Sequence, residues 1–401
     1  MWIRKRLDIG WRDLCSGAFH CLWPGNEAQL KEGIRKLWPH PEQMLPFLSV
    51  RTGFDLLFDA LDLPPGSEVL VSAMTIPDMI RIIQAHGLVP VPIDIDPRDM
   101  GIAPDALYAA ITPKSRAIVI THLFGGRMPM DAIVRQAKEA RLFIIEDLAQ
   151  SFRGCHYDGD PDSDAAMFSF GTIKTATALG GGILAVRSSA IREKMIAKHM
   201  GYPSQGRWSY AVKLSKYMFL KACTGRFTFG LLVMLCRACG IDHDPLLHKL
   251  SRGFPGPGLL LKIRHKPCLP LLALLKRRLA KYDLNRLKVQ RTKGELLVSL
   301  LQGKIPCPGS AALDHVYWVF PIVARDPQAA VALLENNGFD ATSKQSLYVV
   351  SAPRGREGGA ASHAGEIMNG LVYLPLYAEM PTREVQRMGT LLAAMPSAHR
   401  V

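Results

Sequence analysis

The sequence has no uninterrupted apolar run long enough for a membrane-spanning helix, which requires about 20 residues. Uncharged stretches near its middle, such as Phe227 to Cys236, extend for only 10 residues. No apolar segment follows the charged N-terminus, so no secretory signal is expected. The 28 prolines and 34 glycines are close to average usage, which excludes collagen-like and low-complexity chains.

Cysteine is present, but not in the patterns of disulfide scaffolds or zinc sites. The eight cysteines are scattered, and Cys236 and Cys239 form one C-x-x-C without the second pair that a zinc site needs. Reduced thiols and a cytoplasmic location are therefore expected, and no metal site is predicted.

Acidic residues are scarce in one part of the chain. The 401 residues include 49 Lys+Arg and 35 Asp+Glu, which gives a net charge of +14. Residues 201–300, the basic block, hold 19 of the cations and four acids, or +15, so the remaining 301 residues sum to −1. Aromatic and aliphatic residues are interleaved with these cations. The block is interpreted as an ordinary helical region with basic edges, as a contact with an anionic membrane, or as an anionic-substrate site. No nucleic-acid motif is present, so no nucleic-acid partner is expected.

Helix-like and strand-like segments alternate from about Phe47 onwards. Short continuous apolar strands between helices favour an α/β fold with a mostly parallel sheet covered on both faces. Predicted strands include Glu68–Ser72, Leu88–Ile95, Ala117–Thr121, Leu142–Ile145, Ala165–Phe170, Gly182–Val186 and Val316–Val323, and Leu271–Leu301 is predicted as one long helical stretch. The expected organisation is a helical arm (residues 1–45), a large α/β domain (46–200), a basic apolar insertion with connecting helices (201–290) and a small α+β domain (291–401).

Three places carry candidate chemistry. Asp147 ends an apolar strand, Lys174 lies in a loop rich in small residues, and the segment Arg51–Gly53 begins a helix whose free N–H groups favour phosphate. Each has an ordinary explanation alone: a helix cap, a surface lysine, and a helix start. Together and in this order, with Ser169 five residues before Lys174, they favour a pyridoxal phosphate site. In such a site the acid keeps the pyridine nitrogen protonated and the lysine amine forms the Schiff base and transfers protons.

At this point the sequence resembles the DegT/StrS-type sugar aminotransferases, within fold type I of the pyridoxal-phosphate enzymes. The resemblance is close from about residue 47 to 190 and looser elsewhere. Its motifs are Pro65-Gly66-Ser67-Glu68-Val69, Leu88 to Asp96, Ala110 to Ile118, Thr121-His122-Leu123-Phe124-Gly125, Met130 to Ile133, Glu146-Asp147-Leu148-Ala149-Gln150, Phe168-Ser169-Phe170 with Lys174, and Leu374 to Tyr377.

The resemblance implies a fold type I transferase with a small C-terminal α+β domain, and an aminotransferase that uses pyridoxal 5'-phosphate. It implies that Lys174 is the Schiff-base lysine, Asp147 the pyridinium partner and Gln150 the residue facing the ring oxygen. Ser169 and the turn Thr52-Gly53 correspond to phosphate ligands. Partners implied are an amino-acid donor, commonly glutamate, a keto acceptor on a nucleotide-linked sugar, and a second subunit that shares the active sites of a homodimer.

Several positions depart from the family pattern. Phe54 stands where a hydroxyl residue is usual, Ile76 where an aromatic faces the cofactor, and Gly180 where an acid is common. The nearest candidate for the segment supplied by the partner subunit is Lys262–His265. Alternatives kept open are an aminotransferase for an apolar or lipid-linked carbonyl substrate at the membrane surface, and a non-catalytic relative that docks to membrane. A sugar dehydratase of the family has His where Lys174 stands, which argues against that activity.

Overall fold

The computed structural model describes residues 1–4, 7–238, 254, 257–343, 346–356 and 361–395. The strands are β1 Met44–Phe47, β2 Glu68–Ser72, β3 Met74–Thr75, β4 Val89–Ile93, β5 Ser115–Thr121, β6 Phe143–Asp147, β7 Ala165–Ser169, β8 Gly182–Val186, β9 Phe320–Val323, β10 Tyr348–Val349 and β11 Leu371–Leu374. The helices are α1 Trp11–Leu22, α2 Glu27–Arg35, α3 Val50–Leu61, α4 Pro77–Ala85, α5 Pro104–Ala110, α6 Asp131–Glu139, α7 Ser189–Met200, α8 Arg207–Cys223, α9 Arg226–Ala238, α10 Leu259–Ile263, α11 Leu269–Ala280, α12 Leu284–Leu301, α13 Pro327–Asn336, α14 Ser362–Gly370 and α15 Thr382–Ala393.

The described central sheet has the strand order β1-β8-β7-β6-β5-β2-β4. Strands β4, β2, β5, β6 and β7 run parallel to their neighbours, whereas β8 is antiparallel to both β7 and β1. Strand β4 has the sequence Val-Pro-Val-Pro-Ile, which a sheet tolerates at an edge because proline cannot donate to a second neighbour. The predicted α/β class with a mostly parallel sheet is confirmed.

The small C-terminal unit is built on the antiparallel pair β9–β11, with its own apolar core between this pair and α12, α13 and α15. The N-terminal arm joins this unit through Trp2, whose N–H donates to Gly338 O (2.8 Å) and whose carbonyl accepts from Asp340 N (2.9 Å). The N-terminal arm therefore brings the first residues of the chain into contact with its C-terminal unit. No observation tests the four predicted domain boundaries, which stay predictions.

Two element predictions are wrong. The stretch Leu271–Leu301 is divided into α11 and α12, because Asp283 caps a new helix by accepting from Asn285 N (2.9 Å). The strand predicted over Val316–Val323 begins only at Phe320, because Tyr317 has a left-handed φ of 44°. Cys239 and much of the basic block's centre, residues 239–253, lie outside the described residues.

No described helix is by itself long and apolar enough to cross a membrane. Helix α8 and the segment Thr228–Cys236 pass that test only as a pair, and the pair is bent by 91°.

Candidate active site

The carboxyl ends of the parallel strands bring the candidate residues to one edge of the sheet. Thr121 at the end of β5 is paired with Asp147 at the end of β6, and Asp147 is paired with Met167 of β7, two residues before Ser169. Ligand sites of open α/β sheets form at this edge. The pairing of β6 with β7 therefore places Asp147 next to the beginning of the loop that carries Lys174.

Glu146 and Asp147 are neighbours on β6 but point to opposite faces of the sheet, as alternate strand residues do. Glu146 is fully buried and accepts hydrogen bonds from His122 Nε2 (2.8 Å), the Tyr157 hydroxyl (2.9 Å) and Asp160 N (2.7 Å). Burial alone raises a carboxyl pKa, but these donors hold the pKa of Glu146 below its usual value. Glu146 is thus a satisfied structural acid.

Asp147 has a different environment. Its Oδ1 accepts from Ala149 N (2.9 Å), and Oδ2 has no donor among the described residues. Burial raises the pKa of Asp147, and the positive charges of Lys174 and Arg51 oppose that rise by favouring the carboxylate. A buried carboxylate with one oxygen available beside two cations is arranged to accept a hydrogen bond from a further cationic group.

The loop that carries Lys174 connects β7 to β8 and is fixed from three sides. Asp8 of the arm accepts from Ala176 N (2.7 Å), the Tyr210 hydroxyl of α8 donates to Ala178 O (2.7 Å), and Arg278 Nε of α11 donates to Thr177 O (3.1 Å). Ala176 has a left-handed φ of 54°, a conformation that costs free energy in a residue other than glycine. The surrounding elements hold this loop in one conformation.

Lys174 is partly buried, with Nζ 3.9 Å from the centre of the Trp318 ring. The Trp318 indole N–H donates to Ile173 O (3.0 Å), which fixes the ring beside the lysine. Burial lowers the pKa of Lys174 to about 7; the charge of Asp147 opposes this and that of Arg51 adds to it. A substantial fraction of the amine is therefore unprotonated, and nucleophilic, near neutral pH.

The start of α3 lies near Lys174 and Asp147 through Arg51, whose positive charge lowers the pKa of both residues. Arg51 Nε also donates to Asp78 Oδ2 (2.7 Å). Ser49 caps the helix by accepting from Thr52 N (3.2 Å). The N–H groups of Val50 and Arg51 form no hydrogen bond with the described residues; Val50 N packs against Gly182 of β8, which leaves the Arg51 N–H as the candidate donor to an anion.

The predicted phosphate turn Thr52-Gly53 has other contacts. The Thr52 hydroxyl donates to Ile263 O (2.8 Å), and a Cβ on Gly53 would lie 2.4 Å from Leu184 Cδ1. Close packing against the sheet accounts for glycine here. Phosphate binding by these two residues stays a prediction. The candidate N–H donor to a phosphate is instead that of the preceding residue, Arg51.

The remaining predicted residues differ in availability. Gln150 accepts from Phe124 N through Oε1 (3.0 Å), so its amide NH₂ is left to donate. The hydroxyl of Ser169, at the end of β7, has no partner among the described residues. Ile76 is the partly buried N-cap residue of α4. The cofactor roles of all three stay predictions.

Sequence reasoning missed Trp318 and gave Arg51 no individual role. Trp318 lies 145 residues from its partner Ile173, in the segment predicted as a strand, so no local pattern identifies it. Arg51 was recognised only as part of a helix start; its position beside Asp78, 27 residues along, becomes evident when α3 and α4 are placed together.

These residues fit pyridoxal phosphate. The fit rests on a buried acid with an available oxygen, a lysine of lowered pKa, and open N–H groups with a guanidinium at a helix start. Those are the groups needed for a pyridinium nitrogen, an aldehyde and a phosphate, respectively.

Residues 45–229 match the model of the DegT/DnrJ/EryC1/StrS aminotransferase family. A segment of 139 residues is 36% identical to protein MosB of Rhizobium meliloti. The aligned segment covers 34% of this chain and 27% of MosB. The chain thus matches about a quarter of the length of that curated relative.

Solved structures share the fold over nearly the whole chain. The aminotransferase TlmJ from Streptoalloteichus hindustanus superposes with a TM-score of 0.69 at 16% identity, covering 98% of both chains. The sugar aminotransferase CalS13 from Micromonospora echinospora gives 0.68 at 16% identity over 98% of this chain and 100% of that one. NtdA from Bacillus subtilis, solved with bound cofactor PMP, gives 0.68 at 19% identity over 96% and 82%. The comparisons confirm the predicted family resemblance, over residues 45–229, and the predicted fold.

Proposed function

Because residues 45–229 carry the DegT/DnrJ/EryC1/StrS aminotransferase pattern, we propose that this chain is a pyridoxal-phosphate-dependent aminotransferase. It transfers an amino group from an amino acid, with glutamate as the expected donor, to the keto group of a nucleotide-linked sugar. The observation that carries the proposal is the convergence of Lys174, Asp147 and Arg51 at the carboxyl edge of the sheet. The sugar acceptor is supported by neighbours of this fold named as sugar aminotransferases.

The chain's residues divide the work as follows. Asp147 would accept a hydrogen bond from the protonated ring nitrogen, whose positive charge favours the carboxylate, while the Arg51 N–H group and the Ser169 hydroxyl would hold the phosphate. Lys174, with a pKa of about 7, presents an unprotonated amine and then takes up and returns a proton at Nζ. Trp318 covers the lysine and limits access of water. When bound, pyridoxal phosphate supplies the electron sink for the carbon acid chemistry.

A homodimer with shared active sites remains part of the proposal. The segment Lys262–His265 was the expected contribution from the partner subunit. Within this chain Arg264 forms a two-pronged ion pair with Asp55 (2.9 Å for both Nε and Nη2), so its guanidinium is already engaged. The partner's contribution is therefore expected from another side chain of this segment.

A lipid-linked or apolar carbonyl acceptor is the second candidate. It is favoured by α8, whose Tyr210 holds the catalytic loop while its opposite face exposes Trp208 and Phe219. A non-catalytic relative of the fold is disfavoured, because a lysine of lowered pKa beside a buried acid has no structural purpose here.

The test is a cofactor-binding and donor–acceptor screen on the purified full chain. Wild type incubated with pyridoxal phosphate should gain a visible absorption band, which glutamate bleaches and a keto sugar nucleotide restores. A Lys174→Ala variant should lack the band, whereas Lys213→Ala, which removes another buried lysine, should keep it. A wild-type protein that stays colourless with added cofactor contradicts the proposal. Restoration of the band by a lipid-linked ketone alone would select the second candidate.

A further inference from the structure

Helix α8 is apolar on both faces. Its inner face buries Tyr210, Leu214 and Tyr217 in the core that covers β7 and β8. Its outer face exposes Trp208 (57%) and Phe219 (69%), together with Val212. An amphipathic helix of a soluble domain places polar residues on the outer face instead, so this helix has an unusual apolar stripe turned to solvent.

Helix α1 repeats the arrangement next to it. Its inner residues Leu14, Gly17 and Cys21 are buried, and Gly17 lies against Leu214 of α8, since a Cβ there would be 3.1 Å from Leu214 Cδ2. The outer face and the following turn carry large exposed apolar side chains, namely Trp11, Phe19, Leu22 and Trp23. Both helices cover the same core cluster and pack against each other at Gly17 and Leu214. We call this surface the α1–α8 face.

The charge of the α1–α8 face has one sign. Helix α8 contains Arg207, Lys213, Lys216 and Lys221 and no acidic residue. The acid of α1, Asp13, is buried and neutralised by Arg277 (2.7 Å) and Arg278 (2.8 Å) of α11.

The basic block therefore consists of two parts with different roles. Several cations between residues 264 and 286 pair with acids elsewhere in the chain: Arg264 with Asp55, Arg277 with Asp13, and Arg286 with Glu379. Those pairs fix the fold and offer little charge to a partner. On α8, by contrast, Arg207 and Lys216 are exposed, so an external anionic surface can reach them, whereas Lys213 and Lys221 are only partly exposed.

We propose that the α1–α8 face docks on an anionic membrane surface, with α1 and α8 lying in the plane of the interface. Exposed Trp and Phe beside Lys and Arg on a surface-lying helix are the combination that headgroup regions of anionic bilayers bind. A second copy of this chain fits less well, because two such faces in contact bring like charges together. The docking does not depend on the proposed enzymatic activity.

The same helix connects this surface to the catalytic loop. Tyr210 donates to Ala178 O, and Tyr217 is hydrogen-bonded to Thr172, two residues before Lys174. The docked enzyme would thus hold its Lys174 loop on the far side of one helix from the lipid headgroups. The short distance from the docked helix to the Lys174 loop would help a lipid-linked acceptor reach the site. Only this last point rests on the proposed function.

Vesicle flotation of the full chain tests the docking. Wild type should float with vesicles of phosphatidylcholine containing phosphatidylglycerol, should not float with phosphatidylcholine alone, and should be released by about 0.5 M salt. The double variant Trp208→Ser/Phe219→Ser should lose at least tenfold in the vesicle-bound fraction, because it removes two insertion side chains. Arg207→Gln/Lys216→Gln, which removes the two exposed cations of α8, should show the same loss only at low salt.

The matched control is Tyr108→Ser, which removes a 76% exposed aromatic from α5, a helix that contacts β4 at the opposite end of the sheet. Its bound fraction should equal that of wild type, and all variants should keep the wild-type circular dichroism and melting temperature. Equal flotation of wild type and the Trp208/Phe219 variant overturns the proposal. So does a halved solution mass in that variant, which would identify the face as a subunit interface.

Discussion

The carboxyl edge of the sheet and helix α8 each contain a lysine whose pKa is lowered by burial. Lys174 has a pKa of about 7 and Lys213 of about 8. Lys174 has Asp147 as a counter-charge and Trp318 over its ammonium group, whereas the charge of Lys213 is influenced by another lysine, Lys216. Burial alone therefore does not make a reactive site; what distinguishes Lys174 is an acid on an adjoining strand and the fixed loop that presents the amine.

The largest expected effect separates these two lysines. Lys174→Ala should lower kcat by a factor on the order of a thousand or more, because it removes the proton-transferring amine. Lys213→Ala should keep kcat within about threefold of wild type, since its pKa is influenced by Lys216 and Cys268 and not by Asp147. Steady-state kinetics with the donor and acceptor found in the screen measures both. A comparable loss in the two variants would mean that burial, rather than pairing, defines the site.

The second effect concerns the counter-charge. Asp147→Asn preserves size and the hydrogen bond from Ala149 N but removes the negative charge that a pyridinium needs. We expect kcat to fall by a factor on the order of 100 to 1,000, with little change in melting temperature. Donor half-reaction rates followed by absorption would show whether the loss is in chemistry. An unchanged half-reaction rate would remove Asp147 from the centre.

Glu146, its neighbour on β6, should respond in the opposite way. In the Glu146→Gln variant an NH₂ group replaces one carboxylate oxygen. In one orientation it faces Asp160 N, and in the other it faces His122 and Tyr157. Two donors then meet in either case, so a buried hydrogen bond is lost. The expected cost is about 1–3 kcal/mol of unfolding free energy, with kcat per folded molecule retained.

Urea denaturation of Glu146→Gln, with Glu32→Gln on the surface of α2 as control, measures this cost. Glu32 is half-exposed and its ion pair with Lys36 spans 3.5 Å, so the control should change stability by less than about 0.5 kcal/mol. A stable Glu146→Gln protein with low kcat would place Glu146 in the catalytic centre instead.

The two acids also indicate how far sequence reasoning extends. The strand Leu142–Ile145 that leads to Asp147, and the loop at Lys174, were predicted, because an apolar strand, the acid after it and the glycine-rich return are local patterns. The contacts that decide their behaviour are not local: Arg278 reaches Thr177 across 101 residues, and Thr52 reaches Ile263 across 211. The residue type indicates which chemistry a side chain can perform. Whether a hydrogen-bond or ion-pair partner already engages that side chain depends on the fold. The outward stripe of α1 was missed for the same reason, since residues 1–45 were predicted only as a helical arm.

The smallest effect, a shift of the Lys174 titration to lower pH, tests the comparison most directly. An amine reacts with trinitrobenzenesulfonate only when neutral, so its labelling rate rises as pH passes through its pKa and then levels off. In cofactor-free protein, mass spectrometry of labelled peptides should give a midpoint near pH 7 for Lys174 and near pH 8 for Lys213. Asp147 stabilises the charged ammonium and so raises the pKa of Lys174; Asp147→Asn should therefore move the Lys174 midpoint to lower pH and leave that of Lys213 unchanged. If both midpoints move together, the variant has altered the fold, and if neither moves, Asp147 does not act on Lys174 and the two regions differ only in burial.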